Sequence, residues 1–119
     1  VLAASARAHL DATADLDVIV TPVLATLPWK LGHLSPFVPA DELIRRTAEA
    51  VGYTPIHNIA GTPAMSVPLH SSTDGLPIGA HLAAAPGSDA LLLELAYELE
   101  AARPWADRFA PFSYARLAA

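Results

Sequence analysis

Cysteine is absent from all 119 residues, which excludes disulfides, thiol nucleophiles and cysteine-ligated zinc. Positive charge is scarce: seven Lys and Arg stand against twelve Asp and Glu, for a formal net charge of −5. The longest basic cluster is the pair Arg45-Arg46, and Lys30 is the only lysine. Nucleic acids and anionic membranes need a positive patch, so neither is expected as a partner, and a small neutral molecule fits better. No apolar run approaches the roughly 20 residues that span a bilayer. No basic n-region followed by an apolar h-region opens the chain. These absences fit a reducing cytosol, and a cytoplasmic location is the expectation. The first residue is Val1 rather than Met, and the chain reads as a segment that begins inside a helix.

What is present is globular: 53% hydrophobic and 16% charged residues, far from disordered compositions. Residues 2–13 have Leu2, Ala6, Leu10 and Thr13 near helical spacing. Leu16 to Val20, rich in β-branched residues and stopped by Thr21-Pro22, predicts a buried strand that needs cover on both faces. Pro28, Pro36 and Pro39 then punctuate a long irregular connection, and long ordered loops are often functional. Residues 40–51 predict a helix with Asp41 and Glu42 at its positive end and Gly52 as a left-handed stop. A turn-rich stretch follows over 54–63. Ala64 to Leu69 predicts a strand that Pro68 confines to an edge or end. Asp74-Gly75 is a turn signal, and Ile78, Ala80, Leu82 and Ala84 alternate along a returning strand. Ser88 and Asp89 open the last helix, which carries a Leu92, Leu95, Ala96 and Leu99 stripe and ends at Arg103-Pro104. Trp105, Phe109, Phe112 and Tyr114 form an aromatic tail. The sum is an α/β fold: part of a mixed β-sheet flanked by helices, too thin to be complete.

No catalytic group emerges. A nucleophilic serine needs a base in reach and usually a glycine-framed turn. Ser66 has no glycine on either side, and Ser71-Ser72 reads as a loop tip. None of His9, His33, His57, His70 and His81 pairs with another at i, i+4, and no HExxH occurs; metal-ligand spacing is missing. Glu94, Glu98 and Glu100 read as a solvated helix face, and Lys30 sits in an exposed loop. No GxGxxG or P-loop pattern is present. No metal and no cofactor are expected.

One stretch carries more. Asn58-Ile59-Ala60-Gly61-Thr62-Pro63-Ala64-Met65-Ser66-Val67-Pro68 resembles the Asn-x-x-Gly-x-Pro-Ala-x-Ser-x-Pro segment of the amidase signature family. Asp74-Gly75-Leu76-Pro77-Ile78-Gly79 is similar to that family's hairpin, Asp17 to Pro22 to its "DVLLTP" strand, and Leu91 to Trp105 to its last helix. Four landmarks in order cover nearly the whole chain. The resemblance implies that residues 1–119 are the C-terminal segment of an amidase domain. Such enzymes hydrolyse amide bonds, and sometimes esters, with a serine nucleophile, a second serine in a cis peptide and a lysine. Those residues belong to a glycine- and serine-rich signature and a lysine upstream of it, and nothing here matches either. The implied role of this segment is to complete the sheet and supply part of the pocket wall. Val51-Gly52-Tyr53 is uncharged, where the glutamine-handling branch of the family is expected to carry an acidic residue. This favours a general amidase.

Ligands of open α/β sheets sit beyond the carboxyl ends of strands. Thr21 and Pro22 form such an end, and Trp29 and Phe37 on the loop that leaves it offer apolar area; the same aromatics equally serve as loop anchors. Asn58 is the fifth candidate substrate contact, with holding its own turn as the plainer role. The expected partners are a small amide substrate and the rest of the amidase chain. The alternative is a non-catalytic module that associates through an unfilled sheet edge, for example as a homodimer.

Overall fold

The computed structural model describes residues 1–110. Helix α1 (Leu2–Ala12) leads to strand β1 (Ile19–Pro22). Two helices, α2 (Ala40–Ala50) and α3 (Pro55–Ala60), precede the hairpin of β2 (Ala64–Ser71) and β3 (Pro77–Ala83), and α4 (Asp89–Ala102) follows it. The sheet order is β1-β3-β2, with both pairings antiparallel. The α/β class holds. The mixed sheet expected from sequence is antiparallel within the described residues, because the two flanking strands both run against the central β3.

Strand β1 lies later than expected. It includes Pro22, which pairs with Ala80; an edge strand tolerates a residue that has no N–H to donate. Its outer side chains are not covered: Val20 is 64% exposed and Leu16, just before the strand, 51%. A strand expected to need cover on both faces has little among the described residues.

The turn-rich stretch expected over 54–63 contains a helix. Pro55 stands in the first turn, where its fixed φ suits helix entry. Gly61 closes α3 in the left-handed region at φ 68° and donates its N–H to the His57 carbonyl. Gly52 does not play that part for α2, which ends at Val51 with φ −89°.

Alternation along β2 and β3 separates two faces. One carries Val67 and Leu82, which with Ala84 pack against Leu92 of α4; Met65, Leu69, Leu95, Leu99 and Trp105 surround them. Burying a leucine side chain contributes about 1.5–3 kcal/mol. The opposite face carries Ser66, His81 and Thr21 in one cross-strand row; α3 meets His81 there through His57, and α1 in turn meets His57 through His9. Phe109 of the expected aromatic tail is exposed, and Phe112 and Tyr114 lie outside the described residues.

The hydrophobic core is small: Ala50, Val67, Leu82, Ala83, Ala84 and Leu92 are its buried members. The radius of gyration is 17.1 Å, against about 13–14 Å for a compact chain of this length. The accessible surface of 8541 Å² also exceeds the roughly 6,200 Å² of a typical folded monomer of this mass.

The long loop after β1 is tied to α2 at two points. Ala25 N–H donates to the Ala50 carbonyl at 2.9 Å. The Arg46 guanidinium donates through Nη1 to the His33 carbonyl and through Nε to Glu42, both at 2.8 Å. Arg45 also bonds Glu42 and Glu49. Hydrogen bonds from Arg45 first, then Arg46, pull the Glu42 carboxyl down to about 2. None of the described helices is long and apolar enough to cross a membrane.

Candidate functional site

Where the chain leaves β1, the sheet and the loop enclose an open concavity of about 440 Å³. Val23, Leu24, Leu27 and Pro28 form one side; Ser66, Pro68, Ile78 and Gly79 form the other. Its floor depends on an irregularity in the hairpin. Register slips between Val67 and His70, so that Pro68 and Leu69 stand opposite the single residue Gly79, a β-bulge. A Cβ on Gly79 would lie 2.7 Å from Ser66 Oγ and 2.8 Å from Val23 Cγ2. Only a residue without a side chain lets the loop approach so closely.

The five residues expected to contact substrate do not line one concavity. Thr21 and Pro22 border a separate groove of about 340 Å³ with Val20, Leu69 and Ala80. Trp29 is half-buried, its ring 4.9 Å from that of His33, beside a surface hollow shared with Lys30 and Leu34. Phe37 is 94% exposed. Asn58 is exposed on α3 rather than in a turn, and its side chain makes no hydrogen bond among the described residues.

Three distant histidines do meet, an arrangement without a local sequence signal. His57 of α3 lies between His81 of β3, at 4.9 Å between ring centroids, and His9 of α1, at 5.1 Å. His57 and His81 are 6% and 5% exposed. His57 Nδ1 shares a hydrogen bond with Thr62 Oγ1 at 2.8 Å, and His81 Nδ1 shares one with Thr21 Oγ1 at 3.2 Å. Burial, then the neighbouring His81 and His9, lowers the His57 pKa below its ordinary 6.5; burial lowers that of His81.

Two hydroxyls therefore do have an imidazole in reach, against the expectation from sequence. A working nucleophile also needs its base oriented by a third group and an accessible hydroxyl. The described salt bridges all lie within α2, so no carboxylate is within 4.0 Å of an imidazole nitrogen among the described residues. The second ring nitrogens of His57 and His81 have no hydrogen-bond partner among those residues either. Ser66 shares a cross-strand row with His81, yet the imidazole bonds Thr21. The arrangement suits packing between elements better than acyl transfer. The described residues contain no group of three His, Cys, Asp or Glu that could hold a metal ion.

Comparison with known proteins gives the context. The family model described as Amidase matches residues 2–93. The protein named "Putative amidase AmiC" of Mycobacterium tuberculosis is 47% identical over 95 residues, covering 80% of this chain and 20% of the relative. The acylamidase of Rhodococcus erythropolis is 36% identical over 94 residues, 79% of this chain and 20% of that protein. Among solved structures, 6-aminohexanoate cyclic dimer hydrolase superposes with a TM-score of 0.73 at 29% identity, over 85% of this chain and 22% of that one. The chain thus spans about a fifth of the length of the curated relatives it matches. On its sequence and on its fold, this chain belongs to the amidase family.

Proposed function

We propose that residues 1–119 are the C-terminal segment of an amidase that hydrolyses carboxamide C–N bonds through a serine nucleophile, and that the nucleophile, its partner serine and the lysine lie in the other four fifths of the polypeptide. One observation carries this reading: the match to amidases extends over most of the chain, while the described residues hold no hydroxyl with both a base and an orienting group. The thin core, the large radius of gyration and uncovered Val20 and Leu16 support an incomplete domain. The segment alone is inactive on this reading.

The segment then supplies part of the substrate wall. Thr21 and Pro22 sit at the strand end, Trp29 on the loop beyond it, and Phe37 and Asn58 present exposed side chains to the remaining chain. A small amide without a cofactor is the substrate class. The uncovered β1 side supports a second reading, a non-catalytic module that self-associates through this edge, as a homodimer does. Assaying the intact polypeptide and the isolated segment on simple carboxamides separates the two. Turnover only by the intact protein supports the first; an intact gene product of residues 1–119 that forms stable dimers supports the second.

A further inference from the structure

We propose that His9, His57 and His81 form a pH-sensitive latch that holds α1 and α3 on the sheet near neutral pH and releases them in mild acid. The three rings come from three elements, α1, α3 and β3, and His57 is the middle member of the stack. Their packing is therefore the joint between two helices and the central strand.

The joint suits neutral imidazoles only. His57 and His81 are buried, and the Nε2 atom of His9 is buried without a hydrogen-bond partner among the described residues. A proton on any of these rings places a charge in a poorly solvated site, within about 5 Å of another imidazole.

Nothing around the cluster compensates that charge among the described residues. On α1, Arg7 and Asp11 stand two positions either side of His9, roughly 200° around the helix, and line a separate surface hollow with Ala3, Ala4 and Ala8. Neither α3, β1 nor the rest of β3 carries another ionisable side chain. On β2, His70 pairs with Ile78 toward the hairpin end, on the face turned away from His81. Asp15 and Asp17, in the turn before β1, are exposed.

The direction of the effect follows. With folded-state pKa values of His57 and His81 below 6.5, the released form binds more protons than the latched one. The latch is then fully stabilising above about pH 6.5 and loses stability as pH falls through the lowered values. The proposal does not depend on the amidase reading, since it concerns only how these elements are held together.

Backbone hydrogen exchange of the intact protein, corrected for intrinsic rates, tests it at about pH 7.5 and about pH 5.5. Protection in α1 and α3 is expected to fall by about tenfold or more on acidification, while β2, β3 and α4 change little. In His57→Asn, which keeps an amide beside Thr62, the pH response of α1 and α3 is expected to drop below about threefold. Protection that is independent of pH, or an equal response in His57→Asn, overturns the latch. If that variant does not fold, titration of the native imidazole resonances decides. Titration of His57 and His81 below 6.5 in step with lost protection supports the proposal; titration at ordinary values with protection retained overturns it.

Discussion

Gly79 faces Ser66 across the β2–β3 hairpin so closely that a Cβ on the glycine would lie 2.7 Å from the serine Oγ. The Ser66 hydroxyl and the loop through Val23 both press on this one residue, which stands opposite the bulge at Pro68-Leu69. Gly79 and Ser66 together line the hairpin side of the concavity beyond β1.

Gly79→Ala is accordingly expected to destabilise the fold by about 1–3 kcal/mol through overpacking. Both Ser66 and Val23 would have to yield. Chemical denaturation of the native and variant proteins measures it, and an unchanged midpoint would show that the loop moves freely away from the hairpin.

Leu92 is the α4 side chain most deeply set against the sheet, 2% exposed among Val67, Leu82 and Ala84. Leu92→Ala leaves a cavity that so small a core cannot readily refill, for a cost of about 2–5 kcal/mol. Thermal unfolding checks this, and a loss below about 1 kcal/mol would mean that α4 contributes little to the sheet.

Much of this fold was legible because its signals are local. The stripe on α4, the Asp74-Gly75 turn and the alternation from Ile78 to Ala84 each specify an element within a few residues. Helix α3 was also written locally, in Pro55 and Gly61, but the density of turn formers concealed it. What local pattern could not show was convergence. His9, His57 and His81 meet only once register and helix placement are fixed. The crowding at Gly79 comes from Ser66 on the paired strand and Val23 on the loop, not from the glycine's own neighbours in sequence. The candidate wall residues illustrate the same limit: strand-end logic made Thr21 and Pro22 the stop of the strand, whereas both pair within β1, and it gave no information on which hollow each side chain borders.

Thr62 gives the His57 imidazole its one hydrogen bond among the described residues. Thr62→Val keeps the shape and removes the hydroxyl, leaving a buried ring nitrogen unpaired at a cost of about 1–3 kcal/mol. Thr62→Ser is expected to retain most of the stability. Equal stability of the Val and Ser variants, measured by denaturation, would show that the bond contributes nothing.

Trp29 and Phe37 separate packing from substrate contact. Phe37, at 94% exposure, is expected to change stability of the segment by no more than about 0.5 kcal/mol when replaced by Ala. In the intact enzyme, Trp29→Ala and Phe37→Ala are each expected to alter the preference among amides of different bulk. Relative kcat/KM over a substrate series is the measurement, and an unchanged profile for both would remove the loop from the substrate wall.

Hydrolysis of simple carboxamides by the intact polypeptide, native against Ser66→Ala, bears most directly on the claim that this segment frames the chemistry without performing it. The account predicts rates within about tenfold of each other and no turnover by residues 1–119 alone. A fall of about 10⁶-fold on losing that hydroxyl, of the size seen when a serine nucleophile is removed, or amide turnover by the isolated segment, would contradict it.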